Sequence, residues 1–360
     1  MKRTVFEAEH EALRESTRQY IERELVPNAE KWEEQRMVDR SAFVAAGKYG
    51  LIGFNMPEEF GGGGSDDFRF NAVIDEELAR YGGPAPSLSL QNDVVAPYFN
   101  HLANDEQKAR WMPGIASGEL ILAVAMTEPG GAGSDPGQRK TAATFDGENF
   151  TITGRKWLIT GAPGAKTWII MANLQDNAHL PSGPTLFLAH GDNPGIVIER
   201  VMNTMDRNYV EGHGVVQFDN LTLPKSALLG EAGQAFRYAQ MRLAPARMTH
   251  AMRWLGAAER CQSIALDYAR TRTSFGKTLG EHQGVSFMLA DNEIALQQSR
   301  LSIWHTCWVL DRGDKGRHES SIAKAEISER LFQVTDRCVQ VLGGIGITDE
   351  TIVEMIYRDM

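Results

Sequence analysis

The residues best suited to chemistry open in one loop, Ala125-Met126-Thr127-Glu128-Pro129-Gly130-Gly131-Ala132-Gly133-Ser134-Asp135. The loop follows an apolar run, 120–126, that reads as a buried strand. Its glycines let backbone N–H groups come close to a flat or phosphorylated ligand, because no Cβ intervenes. The hydroxyls of Thr127 and Ser134 add hydrogen bonds without bulk. Alone the loop is ambiguous, since Gly-rich surface turns are common. Three later segments bear on it: Arg272-Thr273-Ser274-Phe275-Gly276-Lys277 with Gln283, then Gln340-Val341-Leu342-Gly343-Gly344-Ile345-Gly346, then Arg358-Asp359. A guanidinium offers planar paired donors that match the oxygen pairs of a pyrophosphate. Gly343 and Gly344 allow close approach of backbone to phosphate.

The elements that must position these groups change character twice along the chain. Residues 7 to about 118 read as helices, with periodic apolar positions over 7–25, 66–81 and 87–102. Pro27 interrupts the first, and Ser41 is the expected N-cap of a helix over 42–49. The run Gly61-Gly62-Gly63-Gly64-Ser65 reads as a tight loop between helices, not a linker. Residues 119 to about 226 hold short β-branched runs at 120–126, 150–153, 156–160, 167–173, 185–189, 196–199 and 215–218, which predict a sandwich or barrel. From Gly230 the helical period returns, with helices expected over 234–270 (kinked at Pro245), 281–310 and 320–342. The expected fold class is α+β and multi-domain: an N-terminal helical domain 1–118, a middle β domain 119–226, and a C-terminal helical bundle 227–360. The Gln340–Gly344 turn ends a helix and follows no strand, so it is not a dinucleotide fingerprint of the strand–turn–helix type.

Bulk properties narrow the function classes. A length of 360 residues predicts two or three domains. A net charge of −10 argues against a nucleic-acid surface, which needs clustered Lys and Arg. The nine histidines show no metal-ligand spacing, so no metal site is expected. Cys261, Cys307 and Cys338 are far apart and read as buried reduced thiols, which fits a cytoplasmic protein. The first residues carry no apolar signal segment, and no run is long enough to span a bilayer.

Taken in this order and at these separations, the four motifs resemble the acyl-CoA dehydrogenase family over essentially the whole chain. The resemblance implies FAD as cofactor and an acyl-CoA thioester as substrate. It also implies electron-transfer flavoprotein as electron acceptor, and a homo-oligomer, dimer or dimer of dimers. Met126 and Thr127 would bond the pyrimidine end of the flavin, with backbone N–H groups stabilising charge as the ring is reduced. Ser134 is implied in both flavin and substrate contact, although this loop has two glycines, Gly130 and Gly131, where relatives have one. The segment Gly154-Arg155-Lys156-Trp157-Leu158-Ile159-Thr160 resembles the second flavin strand, giving Ile159 and Thr160 as contacts. Its Trp157 stands one position before the usual aromatic, and is either a flavin-edge residue or a core residue. Arg272, Phe275, Gln283, Gln340, Gly343 and Gly344 would serve the cofactor of a neighbouring subunit. Arg247 matches an arginine near the substrate, and the polar segment Leu90-Gln91-Asn92-Asp93-Val94 lies by position near the acyl pocket. His250, on the helix of Arg247, is expected to be simply packed.

The implied reaction is α,β-dehydrogenation, which needs a desolvated carboxylate to take the α-proton. Relatives place it after the Arg-Asp pair, and the expectation is a base beyond Met360. The family's other base position, just before Arg247, is Ala246 here. Glu350 and Asp359 match structural acidic positions. Two other classes stay open at this point: a flavin monooxygenase or oxidase of the same fold, and a non-catalytic flavin-binding relative.

Overall fold

The computed structural model describes residues 3–130, 135–205 and 212–360. Six helices come first: α1 (Ala8–Tyr20), α2 (Ala29–Gln35), α3 (Arg40–Lys48), α4 (Arg69–Tyr81), α5 (Ala96–Leu102) and α6 (Asp105–Ala116). Eight strands follow: β1 (Leu122–Ala125), β2 (Ala142–Phe145), β3 (Asn149–Thr160), β4 (Thr167–Leu174), β5 (Gly183–His190), β6 (Ile196–Met202), β7 (His213–Pro224) and β8 (Leu228–Leu229). The C-terminal part comprises α7 (Ala235–Met241), α8 (Leu243–Thr271), the hairpin β9 (Thr273–Ser274) and β10 (Lys277–Thr278), α9 (Gln283–Asp311), α10 (Arg317–Leu342) and α11 (Val353–Asp359).

The eight strands form one sheet in the order β6-β7-β3-β2-β4-β5-β8, with β1 added in parallel beside β4. Side chains from β2, β3, β4, β5 and β7 meet in one apolar cluster that includes Phe145, Phe150, Ile170, Phe187 and Phe218, so the sheet curls around it. β4 is buried on both faces. Trp168, Ile170 and Ala172 enter this cluster, while Ile169 and Met171 enter a second one built on α5, α6 and α7. That is why its sequence is a continuous apolar run and not an alternating one. A third cluster joins α8, α9 and α10, and a fourth holds the N-terminal helices.

Several sequence expectations are corrected in detail. Asp39, not Ser41, occupies the N-cap of α3, and neither residue makes a side-chain cap. The kink expected at Pro245 falls instead at Arg242, between α7 and α8. Pro245 then sits in the first turn of α8, where a missing N–H costs nothing. The runs 150–153 and 156–160 are one strand, β3, with register shifts between Ile152 and Gly154 and between Lys156 and Ile159. Residues 90–95 form a π-helix that leads into α5. The Gly-rich run 61–64 is a tight loop, as expected: a Cβ at Gly62 would lie 2.2 Å from the Met56 carbonyl oxygen. The three cysteines are free and buried.

Candidate functional site

The ends of β1 and β3 lie side by side. The Trp157 N–H donates to the Thr127 carbonyl at 3.1 Å, tying the loop after β1 to the middle of β3. Below this junction is a buried ion pair. Lys156 is fully buried and its Nζ lies 2.7 Å from Glu128 Oε1, itself 3% exposed. The same ammonium donates to the Met126 carbonyl at 3.0 Å. Glu128 also accepts from the N–H groups of Lys140 and Thr141. Burial pushes the Lys156 ammonium down to about 8 against the pull of Glu128. Burial alone would raise Glu128, but Lys156 and the two N–H donors hold it below the ordinary carboxylate range. Sequence reading gave neither residue a role. The available signal was the inward phase of Lys156 in β3, which no isolated lysine would tolerate.

The predicted flavin contacts fall around this junction. Met126 and Thr127 are half-buried, and the Thr127 hydroxyl has no partner among the described residues. Thr160 Oγ1 lies 3.0 Å from His213 Nδ1. Ile159 is buried in the sheet's core, so only its backbone faces a ligand. Ser134 lies outside the described residues. Trp157 is half-buried and not a core residue, which removes the packing alternative. Leu158 takes φ +56° in the bulge of β3 and is exposed. From the bundle, Arg242 reaches the same place: Nε donates to Tyr98 Oη at 3.0 Å, and Nη2 lies 3.4 Å from Met126 Sδ.

The other predicted contacts gather at the opposite end of the bundle. Arg272 follows α8, Gln283 starts α9, and Gln340 with Gly343 and Gly344 closes α10. All of them, and Phe275, are exposed. A Cβ added at Gly343 or Gly344 would meet nothing within 4 Å. Phe275 and Gly276 form the two-residue turn of the β9–β10 hairpin with φ of +51° and +79°. Such a turn favours Asn-Gly; a Phe there is strained, and its ring is 97% exposed. Thirty residues separate Arg242 from Arg272, which is about 45 Å of helix. One protomer therefore does not bring both ends to a single ligand.

Arg247 donates to Ser321 Oγ at 3.1 Å and so faces α10. Ala246, at the alternative base position, carries only a methyl group. Further along α8 a cavity of about 440 Å³ opens between α4, residues 82–89, α8 and α11, lined by Asp75, Ser87, His250, Arg253, Trp254 and Asp359 among others. His250 stacks on Trp254 with ring centroids 5.7 Å apart. It is packed as expected, yet it also faces this cavity. Its pKa is lowered to about 4 by burial, then by Arg253 and Lys324. Among the described residues one group has metal-like spacing, Glu7, Glu9 and His10. Both ring nitrogens of His10 are already engaged, by the Glu7 N–H and by Asp67.

The helix–sheet–helix order, with the loop after β1 tied to β3, defines a narrow class of protein. Sequence profiles of the acyl-CoA dehydrogenase N-terminal, middle and C-terminal domains match residues 7–119, 123–221 and 233–360. The chain is 31% identical to 3-(aryl)acrylate reductase of Clostridium sporogenes (strain ATCC 15579), covering 99% of this chain and 93% of that protein. It is 30% identical to the mitochondrial short-chain specific acyl-CoA dehydrogenase of Bos taurus, covering 97% and 84%. A crystal structure of acyl-CoA dehydrogenase from Geobacillus kaustophilus superposes with TM-score 0.92 at 31% identity, covering 98% and 93%. The chain belongs to the acyl-CoA dehydrogenase family, whose members are FAD-dependent oxidoreductases. The donor set suits FAD: a Thr127 hydroxyl without a partner among the described residues and backbone groups beside β3, and a guanidinium with amides and open glycines at the far end. No helix among the described residues is long and apolar enough to cross a membrane.

Proposed function

We propose that this protein carries out FAD-dependent α,β-dehydrogenation of an acyl-CoA thioester and passes the electrons to an electron-transfer flavoprotein. The observation that carries the reading is the cradle at Met126–Thr127 and Ile159–Thr160, fixed from beneath by the Lys156–Glu128 pair. FAD, when bound, supplies the acceptor for the hydride leaving the β-carbon. Thr127 and Thr160 would hold the ring's pyrimidine end, and the Lys156 ammonium holds the Met126 carbonyl out of the way. Ser134 would contact both ring and thioester. Arg247, now bonded to Ser321, would turn toward the substrate on binding.

The cofactor's far end would be held by a second copy through Arg272, Phe275, Gln283, Gln340, Gly343 and Gly344. Two observations support this oligomer. The helix length above keeps these groups from their own protomer's cradle. In addition α9 exposes Phe287, Ile294, Leu301 and Trp308, a heptad-spaced apolar stripe with exposures of 59, 55, 47 and 53%.

The test is anaerobic incubation of the FAD-loaded protein with acyl-CoA thioesters of several chain lengths. Loss of the oxidised flavin absorbance is the expected result. Flavin that neither bleaches nor shifts with any thioester overturns the reading. Rapid reaction of the reduced protein with oxygen would move it to an oxidase or monooxygenase.

A further inference from the structure

We propose that His213 is a positioning residue for the flavin: its ring donates to the Thr160 hydroxyl and so turns the hydroxyl proton outward, onto the flavin. This rests on the reading above that Thr160 meets FAD.

The backbone brings the two side chains together. Thr160 ends β3, His213 begins β7, and they are the last register pair between these antiparallel strands. Directly opposed residues project their side chains on the same face. The next position clamps the pair, since the Gly161 N–H donates to the Gly212 carbonyl at 3.0 Å. Both glycines have positive φ, +74° and +68°, so each strand is left in a turn that holds this register. On its other side His213 pairs with Met202 of β6, which offers the ring a thioether and no charge.

Thr160 Oγ1 lies 3.0 Å from His213 Nδ1. A hydroxyl has one proton to give and two lone pairs with which to accept. With a bare Nδ1, the hydroxyl proton would point at the ring and Thr160 would show the flavin only lone pairs. The pyrimidine end of a flavin carries carbonyl oxygens and acceptor nitrogens, so lone pairs would meet lone pairs. With the proton on Nδ1, the imidazole donates to Oγ1 and the hydroxyl proton is left for the flavin. Two hydrogen bonds then run in one direction, and each strengthens the other.

A donor aimed at this end of the ring stabilises the charge that reduction brings, more than it stabilises the oxidised form. The two threonines of the cradle therefore differ. The Thr127 hydroxyl has no partner among the described residues and turns freely. The Thr160 hydroxyl is held in the donating direction by a ring fixed in the sheet.

The experiment is the midpoint potential of bound FAD, read by reductive titration against a reference dye. His213→Phe keeps a ring and removes the donor. It should lower the preference for reduced over oxidised flavin about tenfold, which is about 30 mV for a two-electron couple. His213→Asn keeps an N–H near the Nδ1 position and should restore most of that loss. In a Thr160→Val background His213→Phe should shift nothing further, because a residue acting only through Thr160 is fully coupled to it. If His213→Phe does not fold, nitrogen NMR of the histidine rings in the unmodified FAD-loaded protein decides: Nδ1 of His213 should carry a proton, and a bare Nδ1 overturns the proposal. A potential unmoved by His213→Phe in protein that holds FAD overturns it as well. So does an equal shift with and without the Thr160 hydroxyl. Unmodified protein that takes up no FAD overturns the flavin reading, and this proposal with it.

Discussion

Lys156 Nζ sits 2.7 Å from Glu128 Oε1 and 3.0 Å from the Met126 carbonyl oxygen, with the lysine fully buried. One ammonium thus joins the interior of β3 to the loop proposed to hold the flavin. Lys156→Met would strand the Glu128 carboxylate without its counter-ion. Breaking such a pair costs about 3–5 kcal/mol. The variant should unfold at lower urea and be purified with less FAD. An unchanged midpoint and full FAD occupancy would remove this residue from the site.

Arg272→Ala is expected to weaken FAD retention and the oligomer together. A charge-assisted hydrogen bond contributes about 1.5–3 kcal/mol. Sedimentation at low protein concentration, with flavin absorbance recorded alongside, reads both at once. Normal assembly with full cofactor content would count against a shared interface.

Phe275→Gly should separate folding from assembly. Relief of the left-handed backbone strain is worth about 1 kcal/mol. The ring is 97% exposed and meets the His282 ring only loosely, with centroids 6.4 Å apart, so the protomer loses little packing. We expect equal or higher thermal stability of the protomer with weaker FAD retention. A clear fall in protomer stability would mean that the ring packs within its own chain.

Gly256 lets α8 approach α4. A Cβ there would lie 2.1 Å from the Glu76 carbonyl oxygen and 3.0 Å from the Arg80 nitrogen. Gly256→Ala should therefore destabilise despite its better helix propensity, by about 1–3 kcal/mol for overpacking. It should also spread the two helices that carry Asp75 and Arg253. A gain in melting temperature would show that the helices separate at no cost.

The Asp75–Asp93 pair should make stability depend on pH. Burial raises both carboxyls, Asp93 from 3.8 to about 6. The folded state then holds protons that the unfolded chain has released. Its contribution is fully present below pH 3.8 and is lost as pH rises through about 6. Asp311 is also raised to about 6, so the comparison must isolate the pair. Asp75→Asn should flatten the decline between pH 4 and 7 relative to the unmodified protein. Parallel urea curves across that range would refute the shared-proton arrangement.

The helix–sheet–helix order was legible because periodicity is local. α9 and α10 begin and end within three residues of their expected bounds, since a long amphipathic pattern has one good phase. β2 was missed because Ala142–Phe145 is four residues with no strong apolar signal. It exists as a strand because β3 and β4 bracket it. The break before α8 was misplaced for a related reason. Proline signals a kink only in a helix interior, and where that interior starts is set by α7 packing on β5.

By itself the sequence determined the family, the order of elements and the polar groups able to meet FAD, because those are carried by residue types at fixed separations. Only the tertiary structure decided what each group faces. It turned Lys156 inward onto Glu128 and Met126, and bonded Arg247 to Ser321. It brought Asp75, Ser87, His250 and Arg253 from separate elements into one cavity. Electrostatic and hydrogen-bond energies fall off over a few ångströms in space, whatever the separation along the chain. Asp75 and Arg253 are 178 residues apart in sequence and share one wall.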